Sequence, residues 1–418
     1  MRTSGVRAFS ALAAALALLG VTACSSAGDP LTGSGTDRQP SASGTTAAAP
    51  GDSPSPATPP PPAPVVLAAN VADKATKVTV DTLVKATAQA GTLTKVKVAY
   101  RYVDRDGKTV KGTVAGALSK DKASWTATER LEPAATYTIS MTGKNAAGES
   151  RTATSKFTTH KLTLEEQTYP SIFPQPDSKV GIGMPVVLTF DVPVKDKKEF
   201  QRNLQVTSSP AQTGTWNWFS DTQVRFRPAK YWKPGTKVKV EANLNGVKGG
   251  NGVYGQKSVS TSFTVGRSFI TKINLASDVA KVYRNGKLVR TIYVSGGKPG
   301  WETRSGVKLI MAKEYNKKMT NEMIGAKEDY SLTARHALRI TNSGEFLHSA
   351  PWNSAYFGRR NASHGCVGMS NANAAWLYAN TLIGDPVITT GTRRGLEQGN
   401  GYSDWNISYA KYKKGSAL

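Results

Sequence analysis

Cys366 and His348 are the residues whose chemistry stands out. Cys366 is one of only two cysteines in 418 residues, and two of the four histidines, His348 and His364, precede it in the stretch His348 to Tyr378, HSAPWNSAYFGRRNASHGCVGMSNANAAWLY. A thiol attacks an acyl carbon as thiolate, and an imidazole that takes its proton, or pairs with it as a cation, makes that form available near neutral pH. His364-Gly365-Cys366 reads as a tight turn opening an apolar helix over Asn371 to Tyr378. Successive backbone N–H groups at such a turn can bind the oxyanion of a tetrahedral intermediate. The implied chemistry is acyl transfer through a thioester. A lone cysteine beside glycine can instead be a small buried hydrophobe, but the histidines, serines and glycines here make a polar segment unlike a core strand. The histidines are too few and wrongly companioned for a zinc cluster, so neither metal nor cofactor is expected.

The order His348-Ser349-Ala350-Pro351-Trp352, then Ser363-His364-Gly365-Cys366-Val367, resembles the signature of the L,D-transpeptidases, the YkuD-type cysteine enzymes of bacterial cell walls. Ser370, the Asn373-Ala374-Ala375-Trp376 helix, Gly384-Asp385-Pro386-Val387 and Asp404-Trp405-Asn406-Ile407 are similar to the mycobacterial and actinobacterial branch in particular. The resemblance implies that Cys366 is the nucleophile and His348 the base, oriented by the backbone carbonyl of Ser349. It implies an oxyanion site built from His364, Gly365 and Cys366, substrate contacts from Tyr330, Trp352 and Ser363, and a lid between Lys313 and Thr333. The implied reaction joins two peptidoglycan stem peptides by a 3→3 cross-link, and carbapenems are expected to acylate the same thiol. Two departures stand out: Gly368 where the family commonly has Asn, and Arg304 where its Thr-Pro-x-Gly turn has proline. Two readings compete with transfer. One is hydrolysis of the same thioester by water; the other is a wall-binding lipoprotein without catalysis, which would be free to lose His348 and Cys366. In papain-like peptidases the cysteine precedes the histidine, the reverse of the order here.

The elements that must position this site form a chain of modules. Residues 1–23 have the layout of a secretory signal, with Arg2 and Arg7 before an apolar run, and Val21-Thr22-Ala23-Cys24 resembles a bacterial lipoprotein processing site. Cys24 is then the lipidated residue, and Cys366 has no disulfide partner. Residues 24–64, rich in Ser, Gly and Pro, read as a disordered tether. Short alternating runs over 65–160 and 161–266, such as Lys95 to Tyr100, Thr136 to Met141 and Pro185 to Phe190, argue for two immunoglobulin-like β-sandwiches. Leu131-Glu132-Pro133 leading into Tyr137 resembles the corner of such modules, and Trp216, Trp218, Tyr231 and Trp232 are expected to pack against a neighbouring domain. Residues 267–394 read as a β-rich unit whose opening meander turns at Asn285-Gly286, and 395–418 as a tail packing on it. The fold class is therefore mainly β, with one short helix after the nucleophile.

Lys and Arg number 54 against 29 Asp and Glu, a net charge of +25. No helix-turn-helix, zinc or RNA-binding signature accompanies it, which argues against nucleic acid. The expected anionic partners are wall polymers, lipid head groups and acidic stem peptides, outside the membrane that the Cys24 lipid would anchor to.

Overall fold

The computed structural model describes residues 61–418 apart from 323, 324, 326, 328 and 330. The signal, most of the tether, Cys24 and Tyr330 therefore lie outside the described residues. Within them the chain is mainly β. The first sandwich closes the sheet of Thr92–Val103, Thr109–Thr113, Thr136–Lys144 and Ser150–Thr158 over that of Val66–Ala69, Lys85–Gln89, Gly116–Leu118 and Ser124–Ala127. Alternation along Thr136–Lys144 sends Tyr137, Ile139 and Met141 into the core. The corner reads as expected: the Glu132 N–H donates to the Tyr137 hydroxyl at 2.7 Å.

The second sandwich pairs the sheet of Pro170–Phe173, Val186–Phe190, Gly214–Ser220 and Gln223–Pro228 with that of Ser178–Val180, Leu204–Ser209, Lys237–Ala242 and Val259–Val265. Its aromatic residues serve it from within more than expected. Trp216 and Trp232 belong to its own core, where the Trp232 indole donates to the Met184 carbonyl at 2.8 Å. A buried indole needs such an acceptor.

The third unit holds two sheets. One has the order β3-β2-β1-β9-β4, from β1 (Phe269–Asn274), β2 (Val279–Arg284), β3 (Lys287–Tyr293), β4 (Gly306–Leu309) and β9 (Pro386–Thr390). Asn285 and Gly286, at φ 49° and 82°, form the tight turn between β2 and β3. The other runs β5-β6-β7-β8, from β5 (Ala312–Thr320), β6 (Ser331–Arg339), β7 (Phe346–Ser349) and β8 (Val367–Met369). Helix α1 (Asn371–Asn380), capped by Ser370, buries Ala374 and Leu377 against the core between them.

Three expectations need correction. The segment after Lys313, expected as a lid, is built on a long hairpin of β5 and β6: along β5 only Met319 is buried, so that strand carries no apolar alternation to betray it. The turn at Gly365 opens a strand, β8, and the helix begins only after it. The tail reaches beyond the third unit. Its Asn406 side chain accepts from Val307 N at 3.1 Å, but Trp405 donates to the Gly183 carbonyl, Asp404 pairs with Arg225, and Tyr412 is buried against the second sandwich.

Candidate active site

Strand register builds the site. β7 and β8 run parallel, with Leu347 opposite Val367, His348 opposite Gly368 and Ser349 opposite Met369. Side chains alternate along each strand, so Leu347 and Val367 enter the core while His348 and Gly368 share the other face. Cys366, two residues before Gly368, lies on that same face. Thiol and imidazole are thus set diagonally, with a side-chain-free residue between them. The space there is tight: a Cβ added at Gly368 would lie 2.7 Å from the Ala350 methyl, so one or the other would have to shift.

His348 is 5% exposed, and its Nδ1 sits 2.7 Å from the Ser349 carbonyl oxygen. A carbonyl only accepts, so the ring proton is on Nδ1 and the Nε2 lone pair is left to act as a base. Burial lowers the imidazole pKa, opposed by the hydrogen bond to Ser349. The ring stacks on half-exposed Trp352, centroids 6.0 Å apart, and the Ser349 hydroxyl donates to Asn371 Oδ1 at the start of α1.

Cys366 is partly exposed, opening onto a cavity, yet its sulfur is closely packed. Sγ lies 3.6 Å from the Gly344 carbonyl. Burial pushes the thiol up to about 12; the Phe346 N–H, which donates to the sulfur, pulls it down, Glu345 raises it and Lys308 lowers it. The resting pair is therefore neutral thiol and neutral imidazole, which leaves His348 as proton acceptor and not as a standing cation.

The turn before Cys366 has its own fixings. Gly365 takes φ 119°, beyond the ordinary reach of a side-chain-bearing residue. Its N–H donates to Ser363 Oγ at 3.1 Å, and that hydroxyl donates to the Cys366 carbonyl at 2.6 Å. Ser363 and the Gly365 N–H thus hold the turn itself. The His364 ring meets Trp301 edge-on, 5.2 Å between centroids.

A cavity of about 230 Å³ unites His348, Trp352, Ser363, His364, Cys366 and Gly368. Met319 and Leu332 of the β5–β6 hairpin close it, which the sequence gave no periodic signal to find. A larger cleft of about 860 Å³ on the second sandwich is lined by residues such as Thr207, Lys239 and Ser262, with neither cysteine nor histidine among them. Sequence reasoning also missed Gly344 and Phe346, whose backbone holds the sulfur, and Lys308 and Glu345 behind it. The signal for Lys308 was present: a lysine interrupting the apolar run of β4.

A family model for the L,D-transpeptidase catalytic domain matches residues 268–389, and one for a bacterial Ig domain matches 75–248. L,D-transpeptidase 2 of Mycobacterium tuberculosis is 33% identical over 356 residues, 84% of this chain and 85% of that protein. L,D-transpeptidase 5 of the same organism is 33% identical over 314 residues, 73% of this chain and 68% of that protein. An L,D-transpeptidase solved in complex with imipenem is 33% identical and covers 53% of this chain and 97% of its own, with a TM-score of 0.46. The fold is an L,D-transpeptidase catalytic domain carried on immunoglobulin-like modules. The chain belongs to the L,D-transpeptidases.

Proposed function

We propose that this enzyme forms 3→3 cross-links between peptidoglycan stem peptides through a thioester on Cys366. The observation that carries the proposal is the shared cavity of Cys366 and His348, with the imidazole fixed as the Nδ1–H tautomer by the Ser349 carbonyl. The sulfur swings from Gly344 toward His348, gives its proton to Nε2 and attacks the carbonyl of the donor stem's diamino acid. The S–C bond forms, the C–N bond to the terminal D-alanine breaks, and His348 returns the proton to the departing amine. The oxyanion is met by the Cys366 N–H, since that of Gly365 already serves Ser363. The side-chain amine of a second stem then attacks the thioester, its proton passing to His348 as the thiol is released. Exposed Trp352 borders the donor.

Anchoring through a lipid on Cys24, at the outer face of the membrane, belongs to the same proposal. It is supported by the signal-like residues 1–23, and the +25 charge supports contact with anionic wall polymers.

Mass spectrometry of the full chain in detergent with a disaccharide-tetrapeptide tests the reading. Wild type is expected to gain an acyl adduct on the Cys366 peptide and, with a second stem present, to release a 3→3 dimer; folded Cys366→Ala gives neither. Cross-linking by Cys366→Ala overturns the nucleophile. Adduct that only ever hydrolyses makes the enzyme an L,D-carboxypeptidase.

A further inference from the structure

Behind the thiol lies a buried ionic cluster that the acyl-transfer chemistry does not use directly. Lys308 is 0% exposed, Glu345 3% and Arg304 8%. The Lys308 ammonium is 3.1 Å from Glu345 Oε2. The other carboxylate oxygen accepts from both the main-chain N–H and Nη1 of Arg304, each at 3.0 Å, and Arg304 Nε reaches Glu397 at 2.5 Å. Arg304 thus brings a second cation to Glu345.

The cluster's position bears on the cysteine from both sides. Glu345 is flanked in sequence by Gly344 and Phe346, the two residues whose backbone groups hold Sγ. A Cβ added at Gly365, next to Cys366, would lie 3.7 Å from Glu345 Cγ. Stability alone gives a weak reason for such a group, because well-packed apolar residues commonly match or exceed a buried ion pair.

We propose that Glu345, Lys308 and Arg304 are positioning residues for the nucleophile: the held carboxylate fixes the turn that seats the sulfur, and the Lys308 cation balances the thiolate as it forms. This deepens the reading of Cys366 as nucleophile and rests on it. Two cations and two carboxylates, Glu397 included, leave the cluster neutral, so loss of one cation sets a net negative charge behind the sulfur. At low dielectric such a charge acts strongly on a neighbouring ionisation. Among the described residues, the remaining titratable groups lining the cavity with Cys366 are His348 from β7 and His364 from the turn, and the test leaves both unchanged.

The test is the pH dependence of Cys366 alkylation by iodoacetamide in the full chain, read on the Cys366 peptide by mass spectrometry alongside a thermal melt. Lys308→Met is expected to slow alkylation about tenfold at neutral pH and to shift its profile upward by about one pH unit. Lys308→Arg keeps the wild-type profile. Lys308→Met combined with Glu345→Gln, neutral again, returns most of the rate. If Lys308→Met lacks a cooperative melt, Lys308→Gln, which keeps a donor for Glu345, is read in its place with the same expectation. An unshifted profile in the folded single variant overturns the proposal, as does a double variant at least as slow as the single. Alkylation needs no stem peptide, so these outcomes are read apart from Cys366→Ala, whose continued cross-linking would remove the nucleophile reading on which the proposal rests.

Discussion

Gly368 shows how one atom decides a site. The space that a side chain would need there is filled by the Ala350 methyl, 2.7 Å from the missing Cβ. Gly368→Asn is therefore expected to cost about 1–3 kcal/mol, read as a lowered melting temperature, and Ala350→Gly is expected to restore part of it. The pair Cys366 and His348 also sets opposite pH limits. The fold lowers the His348 pKa below the ordinary 6.5, so the unfolded chain binds more protons there and stability falls as pH drops below 6.5. The Cys366 thiol is raised from 9.0 to about 12. The unfolded thiol ionises first, and stability is lost as pH climbs through that interval. Urea melts across pH check both: Cys366→Ala should remove its share of the alkaline decline and leave the acidic one. In catalysis the base limb of the pH–rate profile is expected to fall below 6.5.

At the scale of elements, what the sequence could show depended on period. The β2–β3 hairpin was legible because Asn285-Gly286 matches a turn that requires positive φ at both positions; Gly286→Val is expected to cost on the order of 1–2 kcal/mol, seen by thermal melt. The sandwiches were legible because their strands bury one face. Strand β5 was not, since only Met319 along it is buried. Cys366 and His348 could be picked from their types and spacing, whereas the cluster behind them could not: residues 304, 308, 345 and 397 converge only through tertiary packing. The helix was found with its start at Asn371, but the strand between turn and helix was not, because three residues, Val367 to Met369, are too short to show a pattern.

The tail ties the third unit to the second sandwich. Arg225 and Asp404 meet at 3.0 Å with side chains 6% and 0% exposed, and the Tyr412 hydroxyl donates to Asp404 at 2.9 Å. Asp404→Ala strands the Arg225 charge, at an expected cost of about 3–5 kcal/mol, measurable by urea unfolding; Asp404→Asn, which keeps an acceptor, should cost less. The same contacts dictate an order of events. The strands of the second sandwich are complete by Val265, but the residues that cover and pair its Arg225 guanidinium, Gly401, Tyr402 and Asp404, are made last. Synthesis runs from the N-terminus, so this middle module reaches its final state only when the last residues emerge, and a chain cut short by twenty residues fails in the middle as well as at its end.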